Sequence, residues 1–303
     1  MKIQLEIYQG GAKLKKKKMH IFFIVGVVIL LFIKIIWIIF YSKEAVETYE
    51  KISPKNVCVA LTYHYIRDKT LWNLALENLT KTDELTTYTV YTDEFEKQIN
   101  KLIEEKAYFA TLEEVQEFRK SGNYPDKCVL ICFDDGDESV YKNAFPFLKE
   151  KQIPFTMFII AGQVGNNDFK NLKLSSWDEL REMRDSGLVS FGSHTYDMHY
   201  LQDNKAQFLN EDSYEKFFKD IIKSKEVMEN ELGFEITSIA YPFGNTSDKV
   251  TEMVRKAGFT NAFILSPHPL EQNNDPYYQN RYLITKSNFE KILLPWLQEC
   301  DNN

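Results

Sequence analysis

Two carboxylates stand side by side at the end of an apolar run, Leu130-Ile131-Cys132-Phe133-Asp134-Asp135-Gly136. The β-branched stretch at 129–133, closed by a glycine, reads as a buried strand. Successive side chains on a strand point to opposite faces. Two charges at its end therefore make sense only where the strand opens into a polar cleft. An unpaired buried carboxylate costs on the order of several kcal/mol, so a positive group must lie beside them, and a metal ion is the leading candidate. A single Asp would read as a helix N-cap; Asp-Asp-Gly after a core strand reads as chemistry.

The second polar cluster is Ser193-His194-Thr195-Tyr196-Asp197-Met198-His199, fed by a strand-like stretch at 188–192. On a helix, residues five apart are separated by about 140°, and on a strand they face opposite sides. The two histidines converge only if the chain bends between them, with His194 at the strand end and His199 on the loop. One aspartate oxygen and two imidazole nitrogens make a three-ligand zinc site with a fourth position open to water. Asp197 reads as a turn former.

On these residues the chain resembles the polysaccharide deacetylases of the NodB-homology carbohydrate esterase family. The matching motifs are Phe133-Asp134-Asp135-Gly136, Ser193-His194-Thr195 with His199, Tyr241-Pro242-Phe243-Gly244, and Trp177-Asp178-Glu179-Leu180 followed by Met183 and Gly187. The resemblance covers residues 57–283. Within the family the chain is most similar to the biofilm poly-N-acetylglucosamine deacetylases, which share the longer histidine spacing, the Tyr-Pro-Phe-Gly form and an early Tyr-His motif, here Leu61-Thr62-Tyr63-His64. The resemblance implies an α/β fold, a distorted (β/α) barrel that is circularly permuted, so that the family's late histidine comes first.

It also implies roles. Asp135, His194 and His199 hold the metal, expected to be Zn2+, with Co2+ or Ni2+ able to fill the same ligand set. Asp134 stays off the metal as general base, the backbone N–H of Phe243 helps hold the oxyanion, and protonated His64 donates to the departing amine. The implied reaction removes acetyl groups from an N-acetylglucosamine-containing cell-surface polysaccharide and releases acetate. One departure is an arginine that the family places ahead of the proline motif, which Ile239-Ala240-Tyr241-Pro242 lacks. Arg281 is a candidate replacement but reads first as a surface arginine. His268, between Pro267 and Pro269, reads as extended loop, which leaves His64 as the acid. Two other function classes compete. A glycoside hydrolase needs carboxylates about 5–9 Å apart across the sugar, and an idle surface glycan-binding domain has no use for a free base beside a metal.

The elements that must position these residues alternate. Helices are expected from Thr92 through Ile103, from the capping box Thr111-Leu112-Glu113-Glu114, and over 144–151, 177–185, 213–232 (closing at Gly233) and 249–256. Strands are expected at 155–160, 238–241 and 263–265. Polar residues at the C-terminal ends of strands separated by helices fit a barrel whose site lies at the C-terminal face. At 303 residues the chain holds one such domain, over 57–303.

The N-terminus carries a different signal. Residues 21–41 are apolar apart from Lys34, and 21 helical residues span about 31 Å, enough for a bilayer. Lys13 and Lys15 to Lys18 precede this segment, so the positive-inside rule expects a cytoplasmic tail at 1–20, an uncleaved signal anchor at 21–41, a linker at 42–56 and an extracellular domain. No small-residue cleavage site follows the span. The first 42 residues hold seven Lys and one Glu, which leaves 30 basic and 43 acidic residues in the remainder. That surface repels nucleic acid and suits a neutral or cationic glycan. Of the four cysteines (58, 128, 132 and 300), Cys58 and Cys128 both start core strands and could be neighbours that form a disulfide, but buried free thiols are the expected state.

Overall fold

The central strands of this protein are parallel because a helix follows most of them and returns the chain to the same end of the sheet. The computed structural model describes residues 49–71, 73 and 87–301. The basic tail, the anchor expected at 21–41 and the first part of the linker lie outside the described residues. Among the described residues no helix is long and apolar enough to cross a membrane.

The central strands are β1 (Cys58–Tyr63), β5 (Cys128–Phe133), β6 (Phe155–Ile159), β7 (Val189–Ser193), β10 (Ser238–Ala240), β11 (Asn261–Phe263) and β12 (Tyr282–Leu283). They pair in the order β11-β10-β7-β6-β5-β1-β12, and the short β4 (Tyr108–Phe109) adds to the start of β5. All of these pairings are parallel. Gln279 bridges to Phe263 on β11, while Tyr282, three residues on, pairs with Leu61 on β1. One segment thus touches both edges, and the sheet is curled. Outside it lie β2 (Tyr65–Arg67), paired with β3 (Thr89–Tyr91), and a small hairpin of β8 (Leu201–Gln202) and β9 (Lys205–Ala206).

Strand periodicity sorts the core into two layers. Cys58 and Ala60 of β1, Cys128, Leu130 and Cys132 of β5, and Phe158, Ala240 and Phe263 share one cluster inside the curl. The alternate residues, among them Val59, Leu61, Val129, Ile131 and Phe133, pack against the helices. The inner residues are mostly small because the curl is tight. At Gly192 a Cβ would sit 2.5 Å from the Phe158 ring, so no larger residue fits without displacement. This parity carries directly to function. Two residues past Cys132 the inner face is taken by Asp134, two past Thr62 by His64, and two past Gly192 by His194.

Helices α1 (Thr92–Glu104), α2 (Leu112–Ser121), α3 (Phe145–Glu150), α4 (Trp177–Asp185), α5 (Tyr214–Leu232), α6 (Asp248–Lys256) and α7 (Phe289–Asp301) form the outer layer. The capping box at Thr111 is present, with Glu114 returning to the Thr111 N–H; Ser176 and Glu179 form another at α4. The helix expected over 144–151 instead begins as a π-helical turn, Val140–Ala144, and becomes α-helical at Phe145 with Pro146 in its first turn. The strand expected at 263–265 is instead Asn261–Phe263, because the chain turns after Phe263 and carries Leu265 over the site.

Two expectations are corrected. Cys58 and Cys128 form a disulfide rather than remaining free thiols. They occupy directly paired positions on adjacent strands and the same face, with Cα atoms 4.5 Å apart, within the range a disulfide spans. Arg281 is not on the surface; its side chain is fully buried.

Candidate active site

A cleft of about 660 Å³ opens at the C-terminal end of the inner strands and is lined by His64, Asp134, Asp135, His194, His199 and Phe243. Aromatic and aliphatic side chains, Tyr65, Tyr88, Phe169 and Leu265 among them, wall it. The six residues singled out from the sequence thus converge from four strand ends, although 179 positions separate His64 from Phe243 in the numbering.

The backbone turns sharply at each of three of those ends. Asp135, Thr195 and Phe243 hold φ of 70°, 76° and 60°, left-handed conformations that cost such residues about 1–3 kcal/mol each and persist only where the surroundings impose them. The turn at Asp135 lets adjacent carboxylates serve one cleft rather than opposite faces. Gly244 follows Phe243 at φ 67°, and a Cβ there would meet Leu265 at 2.3 Å.

Asp134 and Asp135 have different partners. Arg281 Nη1 and Nη2 donate to the two oxygens of Asp134 at 2.6 and 2.9 Å, a bidentate fork of the kind that fixes a carboxylate in plane. The guanidinium lies over the rings of Phe158 and Phe263. Burial alone would push the Asp134 carboxyl up, but Arg281 and the nearby histidines pull it down to about 2, so it stays ionised. Asp135 accepts from the Tyr65 hydroxyl through Oδ2 at 3.0 Å, while its buried Oδ1 has no hydrogen-bond partner.

That orphaned oxygen faces the two histidines. Nε2 of His194 lies 3.6 Å from it and Nε2 of His199 3.4 Å, and one ligand atom from each of the three residues falls within 4.8 Å of the others. Tetrahedral zinc with bonds of about 2.0–2.1 Å sets its ligands about 3.3 Å apart, so the spacing fits. The donor chemistry fits as well. His194 Nδ1 is 2.8 Å from the Ala240 carbonyl and donates to it, which leaves Nε2 with its lone pair free for a metal. Burial, chiefly, lowers the His194 imidazole to about 4 and holds His199 below its ordinary range too, so both are neutral near pH 7. Asp197 is exposed and stands outside this cluster, accepting from Gln163, as its reading as a turn residue expects.

His64 lines the same cleft, 8% exposed, with its ring 4.6 Å from that of Tyr88 and Nδ1 without a hydrogen-bond partner. Phe243 packs its ring 4.5 Å from His199. His268 is exposed and bonded to Ser266, away from the cleft. Sequence reasoning missed Tyr65, which immediately follows His64, and placed Arg281 outside. It also passed over Lys170, whose ammonium donates to the His199 carbonyl from the tip of the 169–172 turn. Nothing local marks that lysine, since its partner is a backbone atom 29 residues away.

The chain is similar to known proteins over most of its length. Residues 121–262 match the family profile described as polysaccharide deacetylase. A poly-beta-1,6-N-acetyl-D-glucosamine N-deacetylase of Staphylococcus aureus (strain MRSA252) is 37% identical over 242 residues, 80% of this chain and 83% of its own. The protein of the same name from Staphylococcus epidermidis is 34% identical over 92% of this chain and 97% of its own. The solved structure of IcaB from Ammonifex degensii superposes with a TM-score of 0.73 at 30% identity, covering 82% of this chain and all of that one. With identity above 30% over 80% or more of its length, this chain belongs to the polysaccharide deacetylase family.

Proposed function

We propose that the protein is a metal-dependent N-deacetylase of poly-β-1,6-N-acetylglucosamine, anchored in the membrane by residues 21–41 with its domain outside the cell. The observation that carries this reading is the division of labour at one cleft: Asp135, His194 and His199 grouped around an unsatisfied buried oxygen, and beside them Asp134 held ionised by Arg281. A glycan-binding domain needs neither. The polymer is inferred from the relatives, which carry that activity in their names across most of this chain. The circular permutation inferred from the early Tyr-His motif accounts for the acid, His64, arriving just past the end of β1. The acidic balance beyond residue 42 suits a neutral glycan whose product becomes cationic.

Asp135, His194 and His199 would hold Zn2+. Bound there, zinc supplies Lewis-acid activation of the acetamide carbonyl and of water. Asp134 accepts the proton of the attacking water; the fork from Arg281 keeps its oxygens aimed and prevents rotation. The backbone N–H of Phe243 offers a hydrogen bond to the oxygen that gains charge during attack. His64, in the same cleft, donates a proton to the amine as it leaves, and the products are acetate and a glucosamine residue. Tyr65 holds the far oxygen of Asp135, so only Oδ1 turns toward the histidines. The cleft's aromatic walls suit the faces of pyranose rings.

The test is acetate release from poly-β-1,6-N-acetylglucosamine by the protein and by Asp134→Asn and His199→Ala. Activity in the parent and a loss of at least 100-fold in both variants is the expected result. Unchanged activity in either variant would remove that residue from the machinery.

A further inference from the structure

We propose that Asp220, on the middle of α5, is a positioning residue that sets His199 for metal binding; this rests on the metal site proposed above. Its two carboxylate oxygens accept from two consecutive backbone N–H groups of the loop joining the histidines: Tyr196 N to Oδ1 and Asp197 N to Oδ2, each at 2.8 Å. Backbone N–H groups must find partners when they leave water, and here one side chain satisfies both. The loop departs at Thr195 in a left-handed conformation, so the two N–H groups after it turn away from the strand ladder and toward α5.

The rest of the loop is fixed at other points, and the gap left is the one Asp220 fills. The N–H groups of Ala161 and Gly162 donate to the carbonyls of Thr195 and Tyr196, so the turn after β6 holds the carbonyl side only. Met198 is fully buried, and Lys170 holds the carbonyl of His199. His194 has the Ala240 carbonyl to set its ring, whereas Nδ1 of His199 has no hydrogen-bond partner. The position of His199 therefore depends on its backbone, and Asp220 supplies two charge-assisted bonds to the loop that leads to it. Outer partners of this kind are worth about 10–100-fold in metal affinity.

The experiment compares the full-length protein with Asp220→Asn and Asp220→Glu by competition for Zn2+ against a chromophoric chelator. Amide hydrogen exchange of the zinc-free proteins and the kcat and KM for acetate release accompany it. Asn preserves size but sets an NH2 against one loop N–H. The expected result is a 10–100-fold weaker Zn2+ affinity in Asp220→Asn, faster exchange at Tyr196 and Asp197, kcat restored by saturating Zn2+, KM for the polymer unchanged, and partial recovery in Asp220→Glu. Wild-type Zn2+ affinity in Asp220→Asn, even alongside a lowered melting temperature, would overturn the proposal and leave Asp220 a merely structural residue. If Asp220→Asn does not fold, the parent protein decides: unprotected amides at Tyr196 and Asp197 would overturn the clamp, and protected ones support it. Failure of the parent itself to bind Zn2+ would instead sink the metal site, a distinguishable outcome.

Discussion

Replacing Arg281 with methionine isolates the electrostatic core of the site. The guanidinium is fully buried, donates two bonds to an almost fully buried carboxylate, and adds a longer one to the Ile264 carbonyl. Arg281→Met leaves Asp134 charged without compensation, and breaking a buried pair from one side costs about 3–5 kcal/mol. For a domain of this size each kcal/mol lowers the melting temperature by about 2–4 °C, so the expected loss is about 6–20 °C. The loss should shrink when Asp134→Asn is added, because the double variant buries no orphan charge. Thermal unfolding of the parent, both single variants and the double variant, in chelator so that metal does not contribute, gives the coupling energy directly. A value of about 2 kcal/mol or more is expected. The Asp134 carboxyl, freed of the cation that pulls it to about 2, should also titrate higher, moving the acid limb of the kcat/KM profile upward in Arg281→Met. Additive single effects together with an unmoved acid limb would refute the idea that this pair tunes the base.

Other outcomes follow from the same structure. His194 and His199 titrate below an ordinary histidine when folded, so below about pH 6.5 the unfolded chain binds protons that the folded, metal-free protein does not; they should lower stability as pH drops from 6.5 toward 4, by about 3 kcal/mol for His194 alone, offset in part by Asp220, whose carboxyl burial pushes up to about 6, and a denaturant midpoint that rises across that window would contradict it. Tyr65→Phe removes the bond to Asp135 Oδ2 and should weaken Zn2+ binding about tenfold in chelator competition while leaving the melting temperature of the metal-free protein nearly unchanged. Reduction of Cys58–Cys128, which closes a 70-residue separation, should cost about 4 kcal/mol on the chain-entropy estimate, read as a lower denaturant midpoint in reductant.

Much of the site was legible because its chemistry sits where strands end. Asp134, Asp135 and His194 each follow an apolar run, and the period-2 alternation that buries Cys132 and Gly192 carries Asp134 and His194 to the same interior. What could not be read were pairings made by tertiary register. Arg281 meets Asp134 across 147 positions, and alone in Asn-Arg-Tyr-Leu an arginine looks like surface. The disulfide required knowing that Cys58 and Cys128 fall opposite each other in neighbouring parallel strands, and parallel register leaves no local mark as a tight hairpin does. Asp220 is hidden differently: a carboxylate on the polar side of an amphipathic helix is ordinarily solvated. The helices were clearer where caps announce them, at Thr111 and Ser176, and less so at α3, where a π-helical turn moved the start.

The most direct measurement is acetate released from poly-β-1,6-N-acetylglucosamine by protein stripped of metal, then titrated with Zn2+, with N-acetylglucosamine oligomers and peptidoglycan run alongside. The account predicts negligible release from the stripped protein, recovery saturating near one Zn2+ per chain, and preference for the β-1,6 polymer. Full activity in the stripped protein, or recovery unaffected by His199→Ala, would contradict it.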